Sequence, residues 1–134
     1  MSQIIPNVAT DEASQFKQNL AIRSLNTALS KFTIPSAPVT ETGATHTVAE
    51  TTAFLICNRA GTITLTLPSA ATFTGRTIRV KTIQAQTVVS GSSDVVPSTS
   101  ATAGTDILPN TDGAWADLVS DGTNWVIMAA YPLV

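Results

Sequence analysis

Charge is what this chain has least of. Only 12 % of its 134 residues are Asp, Glu, Lys or Arg, about half the usual share of a soluble domain. Its seven basic residues are scattered, and the formal net charge is −2. Phosphate backbones draw clustered Lys and Arg, so nucleic-acid binding is not expected. One cysteine, Cys57, excludes an intrachain disulfide. It ends the apolar run Ala53-Phe54-Leu55-Ile56-Cys57 and reads as a buried, inert thiol. One histidine, His46, leaves little for a His-based triad, and no G-x-S-x-G elbow or Gly-rich phosphate loop occurs. His, Cys and carboxylates lack metal-ligand spacing. Asp112, Asp117 and Asp121 lack the alternation of a calcium loop and read as turn formers and one strand residue. No catalytic residue, cofactor or metal is therefore expected. No apolar run approaches the ~20 residues of a bilayer span. Met1-Ser2-Gln3-Ile4-Ile5-Pro6 has neither the basic segment nor the apolar core of a signal peptide. Synthesis in the cytoplasm, without membrane insertion, is the expectation.

What fills the space left by charge is hydroxyl and small apolar side chains. Hydrophobic residues make up 43 % of the chain, too many for a disordered segment. A weakly charged, Thr-rich surface is suited to contact with copies of itself.

Residues 1–45 read as an arm, one helix and a Pro-rich linker. Thr10 is placed as N-cap, with Asp11 and Glu12 in the first turn, where the helix dipole favours acid. Ile22, Leu25, Leu29 and Phe32 recur at spacings of three, four and three. Phe16 and Leu20 fall on nearly the opposite side. Two apolar sides suggest two neighbours, one from another chain. With Ile4 and Ile5 of the arm, these residues are the candidate trimer and capsid contacts. Thr33-Ile34-Pro35 ends the helix, and the stretch from Pro35 to Gly43 is an extended linker.

Residues 46–134 read as short strands. Thr62-Ile63-Thr64-Leu65-Thr66-Leu67 alternates at period two, and Pro68 stops it. Phe54 to Asn58 is a buried strand, and Thr77 to Ile83 points Ile78 and Val80 inward. Arg79 and Lys81 share the other face of that strand, and Arg76 lies just ahead of it. Asp94 to Thr105 reads as a loop with little to order it. Residues 114–120 and 123–129 form a hairpin about a two-residue turn, Asp121-Gly122. That register sets Leu118 against Trp125 and Ala116 against Ile127, with Trp115 against Met128 and Asp117 against Val126 behind them. The predicted core is Phe54, Ile56, Ile63, Leu65, Leu67, Ile78, Val80, Leu118, Trp125 and Ile127. The fold expected from these patterns is mainly β: a compact antiparallel β-sandwich or barrel-like knob with one N-terminal α-helix.

The order of these elements resembles a β-module of tailed-phage virion proteins. The residues that carry the likeness are the apolar strand ending in Asn58 and Ala60-Gly61-Thr62-Ile63-Thr64-Leu65-Thr66-Leu67-Pro68. Thr74-Gly75-Arg76-Thr77-Ile78-Arg79-Val80-Lys81 and Ser120-Asp121-Gly122-Thr123-Asn124-Trp125 complete it. The chain looks like the trimeric head module of capsid decoration proteins, head fibres and tail fibres. The resemblance implies assembly as a homotrimer, a place on the capsid surface of the virion, and the major capsid protein of a tailed phage as partner. It brings no catalytic residues. The chain has no repetitive shaft, which favours a short capsid-attached protein over a long fibre. The alternatives are a short tail fibre or adaptor that binds a host glycan receptor, and a carbohydrate-binding or polysaccharide-active module.

Overall fold

In the computed structural model, residues 7–30, 37–72 and 74–133 are described, with backbone alone at 7–13 and 27–30. The chain divides into two compact units, Met1–Phe32 and Thr33–Val134.

The first unit holds helix α1, Asn7–Ser30, about 36 Å long at 1.5 Å per residue. It starts three residues before Thr10, at Asn7, a residue type favoured where helices begin. Asp11 and Glu12 therefore lie beyond the first turn, where the dipole's pull on acidic groups has faded. Phe16, Leu20, Ile22 and Leu25 are all exposed. Phe16 and Leu25 are nine residues apart, which places them a half-turn apart around the axis. Ile4, Ile5 and Phe32, and the side chain of Leu29, lie outside the described residues.

The second unit is mainly β. Its strands are β1 (Val39–Glu41), β2 (Thr45–Thr47), β3 (Phe54–Cys57), β4 (Ile63–Thr66), β5 (Thr77–Thr82), β6 (Val88–Ser90), β7 (Val95–Val96), β8 (Asp106–Leu108), β9 (Trp115–Ser120) and β10 (Trp125–Tyr131). Strands begin at Val39, inside the stretch read as linker and ahead of residue 46. Two sheets form, in the orders β1-β3-β5-β9-β10-β7 and β2-β4-β6-β8. Successive strands from β1 to β6 alternate between them. Within each sheet these strands run parallel, β1 beside β3 beside β5 and β2 beside β4 beside β6. The first half of the unit is thus a coil of three turns, each turn giving one strand to each sheet. A parallel pair needs a crossover of a dozen or so residues, and here the strand of the opposite sheet lies within that crossover.

The expected antiparallel sandwich is corrected accordingly. Among the described strands, antiparallel pairing joins β5 with β9, β9 with β10 and β6 with β8, with an isolated antiparallel bridge between Val95 and Gly104, where the chain turns back and covers the last coil. Both pairings give side chains a period of two, so the alternation that located the strands was silent on their direction.

The core lies between the sheets. Ile63, Leu65 and Leu67 face it from β4 and the residues after it, Ile78 and Val80 from β5, and Leu118, Trp125 and Ile127 from the closing pair. Phe54 and Ile56 do not. Phe54 is 41 % exposed and Ile56 half-buried, while Leu55 and Cys57 are fully buried. The run Ala53–Cys57 is apolar on both phases, so composition alone did not choose which face turns inward. The parallel register sets it: Leu55 lies beside Val80 and Cys57 beside Thr82, all buried.

The hairpin also differs from its expected register. Trp125 stands opposite Ser120, and Ile127 opposite Leu118, so four residues, Asp121–Asn124, make the loop. The Asp121 carboxylate accepts the backbone N–H groups of Thr123 at 2.8 Å and Asn124 at 2.7 Å. The Asp121 N–H in turn donates to the Asn124 carbonyl at 3.0 Å. Gly122 holds φ near +96°, the region glycine enters without steric cost. A bulge at Met128 then places Ala129 against Asp117 and Tyr131 against Trp115.

The Asp94–Thr105 segment is more ordered than its composition suggests. Val95 is fully buried beside Trp125 and exchanges backbone hydrogen bonds with Gly104. Strand β8, absent from the sequence reading, buries Ile107 and Leu108.

Candidate interaction surface

The two sheets turn unlike outer faces to their surroundings. On the four-stranded sheet, Thr45 lies beside Thr64, Thr47 beside Thr66, and Thr64 beside Val89. That face is largely hydroxyl, the product of the Thr alternation.

The six-stranded sheet presents three rows. Thr77, Val119, Val126 and Val96 make one. Phe54, Arg79, Asp117 and Ala129 make the next. Thr40, Ile56, Lys81, Trp115 and Tyr131 make the third. Met128, displaced by the bulge, is 66 % exposed. Together with Phe54, Thr77, Arg79, Asp117 and Val119 it lines a groove of about 580 Å³. At its centre the Arg79 guanidinium grips Asp117 with two hydrogen bonds, Nε to Oδ1 and Nη2 to Oδ2, the latter 2.7 Å. Asp117 raises the Arg79 pKa, chiefly by hydrogen bonding. The guanidinium carbon also lies 5.8 Å from the centre of the Trp115 ring, within cation–π range. An exposed ion pair adds little stability; this one brings Arg79, Asp117 and Trp115 together on a face that also carries Thr40, Thr77 and Lys81.

Arg76, Arg79 and Lys81 do not act as one basic cluster. Arg79 and Lys81 share the outer face, as expected. Arg76 is buried, and its Nη2 donates to the carbonyls of Ala49 and Thr52, both at 2.8 Å. Burial lowers its pKa, with Glu50 opposing.

The groups closest to chemistry gather at the edge formed by β1 and β2. The Glu41 carboxylate accepts from the Gly43 N–H and from His46 Nδ1 at 2.6 Å. His46 Nε2 is buried and has no hydrogen-bond partner among the described residues. Glu41 pairs in register with Cys57, whose thiol is pushed up to about 12, mainly by burial and then by the Glu41 charge. At neutral pH it stays a thiol, without the thiolate a nucleophile needs. Among the described residues no group of three or more His, Cys, Asp and Glu is arranged to hold a metal ion. No described helix is long and apolar enough to cross a membrane.

Glu41 gives a pH prediction. Its pKa is lowered, first by the Gly43 N–H, with burial opposing and His46 adding to the lowering. A carboxyl depressed by folding stabilises the fold above its ordinary value near 4.5. That contribution fades as pH falls from there through the folded value. Urea midpoints measured from pH 7 down to pH 3 should drop on this acid limb, and Glu41→Gln should flatten it. An unchanged limb in the variant would assign the acid sensitivity elsewhere.

The sequence reading placed Met128 on the outer face but opposite Trp115, where Tyr131 stands, and placed Phe54 in the core, where the structure exposes it. The signal that bears on both is a strand apolar on both faces, which asks for cover on both. No protein-family model and no curated protein sequence matches this chain.

Proposed function

We propose that this chain is a structural protein of a tailed-phage virion, a capsid decoration or head-fibre protein that works as a homotrimer on the capsid surface. The β unit is the knob. The N-terminal unit ties the copies together and attaches them to the major capsid protein. The observation that carries the reading is α1: Phe16, Leu20, Ile22 and Leu25 stand exposed on opposite sides of a helix with few charges. Large apolar side chains on two sides of one helix call for two partners. The resemblance of residues 53–128 to phage β-modules supplies the setting, and the mechanism is adhesion without a chemical step.

A specific observation favours a second reading, a short tail fibre that binds a host glycan. Tyr131 is exposed in the same row as Trp115, and Trp115, Arg79 and Lys81 line a smaller groove of about 220 Å³. Aromatic faces beside polar groups suit sugar rings.

The experiment adds intact protein, or protein lacking residues 1–32, to capsids without it and pellets the particles at low and high salt. The intact chain is expected to co-sediment at both, because apolar contacts are little screened and the N-terminal unit has few charges. The truncated knob is expected to stay in the supernatant, folded. Equal co-sedimentation of the two would overturn the anchoring role of the N-terminal unit.

A further inference from the structure

We infer that the outer face of the six-stranded sheet, centred on Phe54, Arg79, Asp117 and Met128, is a subunit interface that packs about a threefold axis against the same faces of two other copies of this chain. The inference rests on the homotrimer reading and adds a second contact, in the β unit, to the one assigned to the helix.

Three observations lead to it. Parallel strands with apolar residues on both phases occur where both faces of the sheet are covered. Strand β3 has that composition, and its outer residue Phe54 is uncovered in the single chain. Ile56 follows Phe54 on β3, and Val119 and Val126 carry apolar side chains on β9 and β10 of the same face, with Thr77, Arg79 and Lys81 of β5 between the two groups.

Charge decides the kind of partner. A face carrying one sign of charge repels its own copy and selects a complementary stranger. Here the central Arg79 and Asp117 neutralise each other within one chain through two hydrogen bonds. The other ionisable cation of the face, Lys81, lies one row away beside Trp115. The centre of the face is therefore compatible with an identical face, and Lys81 falls toward the rim, where charge is tolerated.

Area agrees with a shared role. Six strands at ~4.8 Å spacing and three rows of side chains span on the order of 500 Å². Stable interfaces need ~800 Å² per partner. The face alone falls short, and the apolar surface of α1 supplies a second contribution.

The test uses the full chain and single cysteines. Cys57 is fully buried with its pKa pushed up to about 12, so an introduced surface thiol reacts alone with maleimide at pH 7. Met128→Cys reports on this face and Thr66→Cys on the hydroxyl face; both parent side chains are exposed. In assembled protein, Met128→Cys should label at least tenfold more slowly than Thr66→Cys. Dilution to the monomer should remove the difference. Equal rates in protein that sediments as an oligomer would overturn the interface and leave the homotrimer reading standing. An intact chain that sediments as a monomer at every concentration would end the reading itself and this inference with it. Slow labelling only after capsids are added would give the face to the capsid protein instead. A second variant, Met128→Glu, should raise the concentration at half-dissociation at least tenfold, with Thr66→Glu as the control that leaves it unchanged.

Discussion

Trp125→Ala will lower the unfolding free energy of the β unit by about 3–5 kcal/mol, the usual cost of emptying a large aromatic site. Trp125 is the largest fully buried side chain, 1 % exposed. Its backbone is in β10 of the six-stranded sheet, and its Nε1–H donates at 2.8 Å to the carbonyl of Pro68, just beyond β4 of the other sheet. One side chain therefore both fills the core and bonds across the two layers. Ser120, its register partner, makes a similar link, with Oγ donating to the Ala70 carbonyl at 2.5 Å. Trp125→Phe keeps an aromatic ring but loses the donor and part of the indole; it should cost less than Trp125→Ala and at least the ~1–2 kcal/mol of one lost hydrogen bond with its acceptor left buried. Chemical denaturation reads both. A loss below ~1 kcal/mol for the alanine variant would mean that the site closes around the missing ring.

The second large effect is expected at Arg76. Its guanidinium holds the carbonyls of Ala49 and Thr52 in the turn ahead of β3. Hydrogen bonds from a charged donor contribute roughly 1.5–3 kcal/mol each. Against that stands the cost of burying Nε and Nη1, which have no hydrogen-bond partner among the described residues. Arg76→Ala should therefore cost about 2 kcal/mol net, less than the two bonds together. Arg76→Lys should recover only part, because both bonds come from Nη2 at the far end of the guanidinium and the shorter lysine side chain does not reach the same point. Destabilisation near zero in the alanine variant, by denaturant midpoint, would show that the buried donors cancel the bonds.

How much of this was legible in the sequence differs from element to element. The strand around Ile63 to Thr66 was plain, because Thr alternated with Ile and Leu and only one phase was apolar. Ile78 and Val80 were legible for the same reason, with Arg79 and Lys81 marking the outer phase. Phe54 to Cys57 was legible as a strand but not in its phase, since either face satisfied hydrophobic burial. Parallel pairing was not legible: it depends on which distant segments meet, and the three coils share no sequence repeat. The hairpin turn was located by Asp121-Gly122, but its length depends on the Asp121 carboxylate reaching two backbone N–H groups. Strand β8 escaped because Asp106-Ile107-Leu108 is too short to show a period.

The same logic governs the candidate surface. Arg79 and Lys81 could be placed on one face from their spacing alone. Their neighbours could not, because Asp117, Trp115 and Phe54 reach that face through long-range pairings. Arg76 looked like a third member of a basic group and turned inward, since its partners are carbonyls more than twenty positions earlier in the chain. The apolar positions of the helix were legible throughout as a pattern. The exposure of Phe16, Leu20, Ile22 and Leu25 is the added information.

The central claim is association of identical chains, and its most direct measurement is the mass of the intact protein in solution. Sedimentation equilibrium from nanomolar to micromolar concentration should give a species of three times 13.9 kDa at the upper end. It should dissociate on dilution and depend little on salt, as expected of apolar contacts. A single species of 13.9 kDa across the whole range would contradict it.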